Sequence, residues 1–192
     1  MLLTAAAVAF TRIFAFTSIF SLASMLSHAR RFSRTTHAAR HGSLDLTGRS
    51  VSLQGLGHVG WHLAGLLRQA GANLIVTDID PVRVAAAVKA FDATPVALDA
   101  IYGVEADIFA PCAIGGILNQ QTIPQLRTSI VAGGANNQLA TPEDAKALHA
   151  RGILYAPDFV ANGGGIINVA TEILKISDRS RFVDEKLAAL DQ

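Results

Sequence analysis

A chain of 192 residues is long enough for one domain with a buried core plus an appendage. With 51% hydrophobic and 16% charged residues it is not a disordered polymer, and a net charge of +1 argues against a nucleic-acid binder held by phosphate contacts. The single cysteine, Cys112, excludes an internal disulfide or a cysteine-based zinc cluster and fits a reducing compartment.

The charge is segregated. Met1 to Leu44 holds no Asp or Glu but carries Arg12, Arg30, Arg31, Arg34 and Arg40, and the remainder is mildly acidic. The break near Gly42 divides the sequence into an atypical segment 1–41, a body 42–177 and a short C-terminal helix 178–192. Ile13 to Ser27, "IFAFTSIFSLASMLS", is apolar and is followed by "HARRFSR". Four readings rank in descending order. A mis-called start or out-of-frame stretch joined to a real domain comes narrowly first. An Arg- and Ser-rich, acid-poor transit peptide is second. A membrane anchor is third, because a span needs roughly 20 apolar residues and Arg12 interrupts this one. A secretory signal is last, since no basic residue precedes Arg12.

Beyond Gly42, short apolar runs alternate with helical patterns, the signature of an α/β fold built on a parallel sheet. Ser50–Gln54 is a strand. His58–Ala70 is a helix, its Val59, Leu63, Leu66 and Leu67 spaced to face a sheet, closed by Gly71. Asn73–Thr77 is a second strand. Pro81 suits the first position of a helix running to about Ala90. Asp107–Ala110 and Ile130–Ala132 are strands. Thr141-Pro142-Glu143-Asp144 opens a helix with an N-cap residue and acids in its first turn. Ile153–Tyr155 is a last short strand, and Gly163-Gly164-Gly165 leads into the helix "IINVATEILKI". The expectation is a Rossmann-type, doubly wound, mostly parallel sheet with helices on both faces.

Between the first strand and helix lies "GLGHVG", with glycines at Gly55, Gly57 and Gly60. The first suits a tight turn, the second close approach to a pyrophosphate, the third close helix–strand packing. Free N–H groups at a helix N-terminus then face an anion. Asp78 stands 18 residues after Gly60 at the end of the second strand, where a carboxylate takes ribose hydroxyls and repels a 2′-phosphate. This predicts NAD in preference to NADP, with Arg83 able to soften the preference. A glycine turn with a helix-capping Asp is the bland alternative.

The segments "GANLIVTDID", "IYGVEADIFAPCAIGGILN", "TIPQL", "AGGANNQL" and "GILYAPDFVANGGGIINVATE" are more specific. In order and spacing, Gly42 to Glu172 resembles the cofactor domain of the leucine/valine/phenylalanine dehydrogenases, of the superfamily that also holds glutamate dehydrogenase. The resemblance implies oxidative deamination of a branched-chain or aromatic L-amino acid to its 2-oxo acid and ammonia, with NAD reduced. It implies that Gly55, Leu56, Gly57, His58, Val59, Gly60, Asp78 and Ile79 hold the ADP half of NAD. Cys112 and Ala113 would line the cleft, Asn136 or Asn137 would touch the nicotinamide ribose or substrate, and Asn162 the nicotinamide side. Ile166 and Val169 match positions that shape the substrate pocket. Read without the resemblance, Cys112 is a small core residue, the two Asn are turn formers, and Ile166 and Val169 are ordinary helix packing. His58 and His62 form no metal set, and no metal is expected.

The family's catalytic lysines and proton-shuttling aspartate lie in a separate N-terminal domain. The lysines here are Lys89, Lys146, Lys175 and Lys186, none in a comparable glycine-rich segment. No catalytic residue is therefore assigned. The expectation is a domain that binds NAD and does not deaminate alone, taking an amino-acid substrate only if a catalytic domain completes it. The alternative is a non-catalytic NAD-binding module, membrane-tethered or organelle-targeted. The family implies a homo-oligomer; the location expected is cytoplasmic, or mitochondrial or membrane-associated through the N-terminal segment.

Overall fold

The structure, a computed structural model, describes residues 46–161 and, beyond them, Ala170, residues 173–178, Arg181, Phe182 and Glu185. Six strands stand among the described residues: β1 (Ser50–Gln54), β2 (Asn73–Thr77), β3 (Thr94–Pro95), β4 (Ile108–Pro111), β5 (Ile130–Val131) and β6 (Leu154–Tyr155). They form one parallel sheet in the order β3-β2-β1-β4-β5-β6. The strand order reverses between β1 and β4, a switch point of the kind at which open α/β sheets present a ligand crevice at the C-terminal strand ends. The expected doubly wound α/β fold is the one observed.

The first two strands match their expected bounds: β1 is buried from Val51 to Gln54, and β2 is buried at Leu74, Val76 and Thr77. Val51 and Leu53 of β1 join Leu74, Val76, Ile108 and Ala110 under α1 (His58–Gln69) and α2 (Pro81–Phe91). On α1, Leu63, Ala64 and Leu67 are buried against them. Truncating Leu63 or Leu67 to Ala would cost about 2–5 kcal/mol. The opposite face carries Phe109 and Val131, packed with Ile101, Ile123, Leu126, Leu148 and Ile153. Leu148 belongs to α3 (Glu143–Ala150). With both faces covered, even the polar Ser52 is buried, and its hydroxyl donates to the Ile108 carbonyl at 3.4 Å.

Gly71 closes α1 with φ +84°. Its N–H donates to the Arg68 carbonyl at 3.0 Å, and the Ala72 N–H to the Leu67 carbonyl at 3.1 Å. That pair of bonds is the Schellman closure a C-terminal glycine permits. Ala70 is the cap residue, so the helix stops one residue short of the expected end.

Several boundaries differ from the sequence expectation. The helix from Pro81 reaches Phe91 because Asp92 closes it in the left-handed region at φ 54°. β4 begins at Ile108, since the Asp107 carboxylate turns to Ser50 and accepts its N–H and its hydroxyl, each at 2.8 Å. At α3 the N-cap is Pro142 rather than Thr141. The buried Asp144 carboxylate reaches back instead, accepting the Thr141 N–H at 2.7 Å and its hydroxyl at 3.0 Å, half of a capping box. β5 and β6 are two residues each, without Ala132 and Ile153. β3, two residues including a proline at the sheet edge, was not expected from the sequence. A four-residue helix α4 (Asp158–Ala161) precedes the triple glycine; of the long helix expected after it, only Ala170 and residues 173–176 are among the described residues.

Candidate functional site: a glycine loop at the switch point

β1 ends at Gln54 and the chain turns at Gly55, φ +95°, a conformation that L side chains rarely adopt. The Gly55 N–H donates to the Thr77 carbonyl at 2.8 Å, which ties the turn to the end of β2. The three glycines of the loop differ in the space around them. A Cβ built on Gly60 would stand 1.8 Å from the Gly55 carbonyl oxygen, and one on Gly55 would stand 2.9 Å from Ala113. These two positions are closed by the protein itself. At Gly57 the only heavy atom within 4 Å of such a Cβ, beyond its own chain neighbours, is Arg83 Nη1 at 3.9 Å. Gly57 is also the N-cap of α1, with no side-chain cap. The first N–H groups of α1, at His58, Val59 and Gly60, have no acceptor within the helix and stand at the end that Gly57 begins. Open space, free donors and the positive end of a helix dipole coincide there, an environment suited to an anion.

Asp78 flanks the opening. Its Oδ2 accepts the Leu56 N–H at 2.5 Å and its Oδ1 accepts the Asp80 N–H at 2.8 Å. The carboxylate thereby braces the loop from the end of β2, where each oxygen keeps a further lone pair for an incoming hydroxyl. Beyond Asp78 an open groove of about 680 Å³ runs between the end of β2, α2 and the chain leaving β3, lined by Ile79, Val84, Val88, Pro95, Val96 and Leu98 among others. Ile79 is 86% exposed and Leu98 48%, so the groove carries an apolar rim.

On the other side of the switch point, the Cys112 N–H donates to the Gln54 carbonyl at 2.7 Å, joining the end of β4 to that of β1. Cys112 is partly buried against the core, and its sulfur accepts the Gly134 N–H at 3.4 Å. Burial pushes the thiol up to about 11, against a smaller opposing pull from that N–H. Cys112 is thus a neutral wall residue at neutral pH, not a nucleophile. Gly133 and Gly134 permit this closeness. A Cβ on Gly133 would lie 2.2 Å from the Pro111 carbonyl oxygen, and one on Gly134 would lie 2.5 Å from Val59 Cγ1.

The Asn pair follows. A Cβ on Gly115 would fall 2.9 Å from the Asn136 carbonyl oxygen and 2.8 Å from that of Asn137, and the Gly116 N–H donates to Asn137 at 2.7 Å. Asn137 sits in the left-handed region at φ 51°, and its N–H donates to Asp158 Oδ2 at 2.6 Å. Buried Gln138 fixes the same turn, its amide donating to the carbonyls of Gly133 and Ala135, each at 2.9 Å. Tyr155 lies beside Asp158; burial first, and then that negative charge, push its hydroxyl up to about 12.

The strand-end loops therefore make one line, running from Asp78 through Leu56, Gly55 and Ala113 to Gly115, Asn137 and Asp158. Of the residues expected from sequence, Gly55, Leu56, Gly57, Val59, Gly60, Asp78, Cys112, Ala113, Asn136 and Asn137 lie on or beside this line. His58 is exposed at the start of α1, and Ile79 points outward at the groove rim. Asn162, Ile166 and Val169 lie outside the described residues. Asp158, Gln138, Gly133, Gly134 and the groove residues Val96 and Leu98 were not singled out from sequence. Asp158 had one local signal, an acid following Pro157 at a helix start. Among the described residues no group of His, Cys, Asp or Glu suits a metal ion, and no helix is long and apolar enough to cross a membrane.

Comparison with known proteins agrees with this geometry. The family model described as Glutamate/Leucine/Phenylalanine/Valine dehydrogenase matches residues 76–190. A leucine dehydrogenase of Geobacillus stearothermophilus is 54% identical over 132 residues, covering 69% of this chain and 36% of the relative. A phenylalanine dehydrogenase of Lysinibacillus sphaericus is 45% identical over 145 residues, covering 73% of this chain and 38% of the relative. The crystal structure of L-tryptophan dehydrogenase from Nostoc punctiforme superposes with a TM-score of 0.83 at 38% identity, over 88% of this chain and 52% of that one. The chain spans well under half the length of the curated relatives it matches. By its glycine loop, its strand order and the match over more than half its length, the chain belongs to the Glutamate/Leucine/Phenylalanine/Valine dehydrogenase family.

Proposed function

We propose that this chain provides the NAD-binding domain of an amino-acid dehydrogenase acting on a branched-chain or aromatic L-amino acid, in oxidative deamination to the 2-oxo acid and ammonia. The observation that carries the reading is the contrast within the loop: Gly55 and Gly60 are closed by protein atoms, whereas the Cβ position of Gly57 is open beside the α1 N-terminus. A pyrophosphate fits that opening through the backbone N–H groups of the loop and α1. Asp78 would take the adenosine ribose hydroxyls, and its charge would disfavour a 2′-phosphate. The apolar groove beyond Ile79 suits a flat adenine ring. Cys112 and Ala113 would form the cleft wall, offering bulk without charge. Asn136 or Asn137 would direct neutral amide groups at the nicotinamide ribose or substrate, and Asn162 at the nicotinamide side. Ile166 and Val169 would line an apolar substrate pocket.

Bound at this loop, NAD would supply the acceptor for a hydride from the substrate carbon. What this chain's residues contribute is binding, orientation and exclusion of water. Lys89, Lys146 and Lys175 are exposed, and none stands among the loops of the crevice. A base of lowered pKa would have to come from a catalytic domain outside the described residues or on a partner chain. The test is twofold. Calorimetric titration of NAD into the purified chain should show saturable binding, and the same chain with NAD and leucine, valine or phenylalanine should not reduce NAD at a rate typical of an intact dehydrogenase. Absence of NAD binding would overturn the reading, and such reduction by this chain alone would overturn its second half.

A further inference from the structure

Arg83 breaks a local rule. It is the third residue of α2, where the helix dipole opposes a cation. Residues that break such rules gather at functional sites. Its local partner is Asp80, whose Oδ1 caps α2 by accepting the Val82 N–H at 2.9 Å. The other oxygen, Oδ2, pairs with Arg83 Nε at 3.4 Å. An exposed pair at this spacing is weak and screened by salt, so it aims the guanidinium without committing it. The cap fixes Asp80, and the Nε contact turns the guanidinium end toward the glycine loop. There Nη1 lies 3.9 Å from the Cβ position of Gly57, the open position at the head of α1. The side chain is 53% exposed, so it is free to adjust to an incoming group.

We propose that Arg83 is a phosphate-binding side chain of the nucleotide site, adding a guanidinium from α2 to the backbone N–H groups at the start of α1. The proposal rests on the nucleotide-binding reading above. A planar guanidinium matches phosphate oxygens through paired, charge-assisted hydrogen bonds, which a backbone-only loop lacks. Two phosphates are within its chemistry: the pyrophosphate of any dinucleotide and the 2′-phosphate of NADP. Its placement beside Gly57, together with the carboxylates of Asp78 and Asp80 at the ribose end, favours the pyrophosphate.

The test uses the full chain and the exposed substitution Arg83→Gln, with thermal unfolding to confirm that the fold is kept. Binding of NAD, 5′-ADP, 2′,5′-ADP and adenosine is measured by calorimetry at low and high salt. Loss of one charge-assisted contact predicts affinity about tenfold weaker for NAD and 5′-ADP, a shallower salt dependence, and unchanged adenosine binding. Arg83→Lys, which keeps the charge without the fork, should fall between. A loss confined to 2′,5′-ADP would keep Arg83 as a phosphate ligand and move its target to the 2′ position. Equal affinities in wild type and Arg83→Gln, or an equal loss for adenosine, would overturn the proposal and leave NAD binding intact. A wild-type chain that binds neither NAD nor 5′-ADP would overturn the nucleotide reading itself and this proposal with it.

Discussion

The Asp78 carboxylate accepts the Leu56 N–H at 2.5 Å, so the acid at the end of β2 and the glycine loop after β1 are one unit, although 22 residues separate them. The bond ties the loop to the acid that, in the proposed NAD site, would meet the ribose. Asp78→Asn keeps an acceptor for Leu56 but loses the charge. NAD affinity should fall about tenfold, a loss expected for one charge-assisted contact, and the preference for NAD over NADP should shrink. Side-by-side titration of the two dinucleotides reads both effects; an unchanged ratio would remove Asp78 from ribose recognition.

Gly60 and Gly57 should separate fold from function. At Gly60 an added methyl meets the Gly55 carbonyl at 1.8 Å, so Gly60→Ala must displace backbone, at a cost of about 1–3 kcal/mol or more. Gly57→Ala adds its methyl to open space at φ −66°, an ordinary conformation, and should leave the unfolding temperature within a degree or two of wild type. Thermal melts of the two variants check the contrast. Equal destabilisation would contradict the packing described for the loop.

Asp158 should govern the crevice's far end. Its carboxylate holds the Asn137 N–H at 2.6 Å while Asn137 occupies the left-handed region, so removing it frees the loop to relax. Asp158→Ala should weaken NAD binding by severalfold yet leave 5′-ADP binding unchanged, because in the proposed site the ADP half would lie at the opposite end of the line of loops. Asp158→Asn, which keeps an acceptor, should be milder. Loss of affinity for both ligands would assign Asp158 to general stability instead.

Much of this was readable in the sequence, and the exceptions have a common cause. β1 and β2 each carry alternating buried apolar residues, Val51 and Leu53, Leu74 and Val76, and α1 announces its end with Gly71, so local pattern and tertiary packing agree there. β3 was not legible because two residues with a proline carry no periodicity, and only pairing with Ile75 and Val76 makes them a strand. β4 shifted by one residue because Asp107 is claimed by a side-chain network 57 residues away in sequence. Asp158 and Asn137, 21 residues apart, meet only after β6 is laid beside β5. Arg83 was visible as a cation near Asp78, but its reach over Gly57 depends on the Asp80 cap. Long-range contacts that use a single side chain leave no pattern in a sequence.

At the opposite end of β1, Asp107 links the fold to pH. Burial acts to raise its carboxyl, but hydrogen bonds from the Ser50 N–H and hydroxyl, with Arg49 at 3.3 Å, outweigh it and hold the group below the usual range. A carboxyl lowered in the folded state adds stability that is fully present above its unfolded pKa, about 3.9. That contribution disappears as pH falls from there through the lowered folded value. Urea midpoints measured from pH 6 down to pH 3 should therefore fall more steeply below about pH 4 for the wild type than for Asp107→Asn. Parallel profiles would show that Asp107 does not contribute to the acid limb.

The central claim, that the opening at Gly57 receives the pyrophosphate of a dinucleotide, is tested most directly by calorimetric titration of NAD into wild-type chain and Gly57→Ala at matched folded stability. The account predicts saturable one-to-one binding to the wild type and binding weakened at least about tenfold by the single methyl, since close backbone approach to the phosphates is what the second glycine of the loop permits. Equal NAD affinity in the two proteins would contradict it.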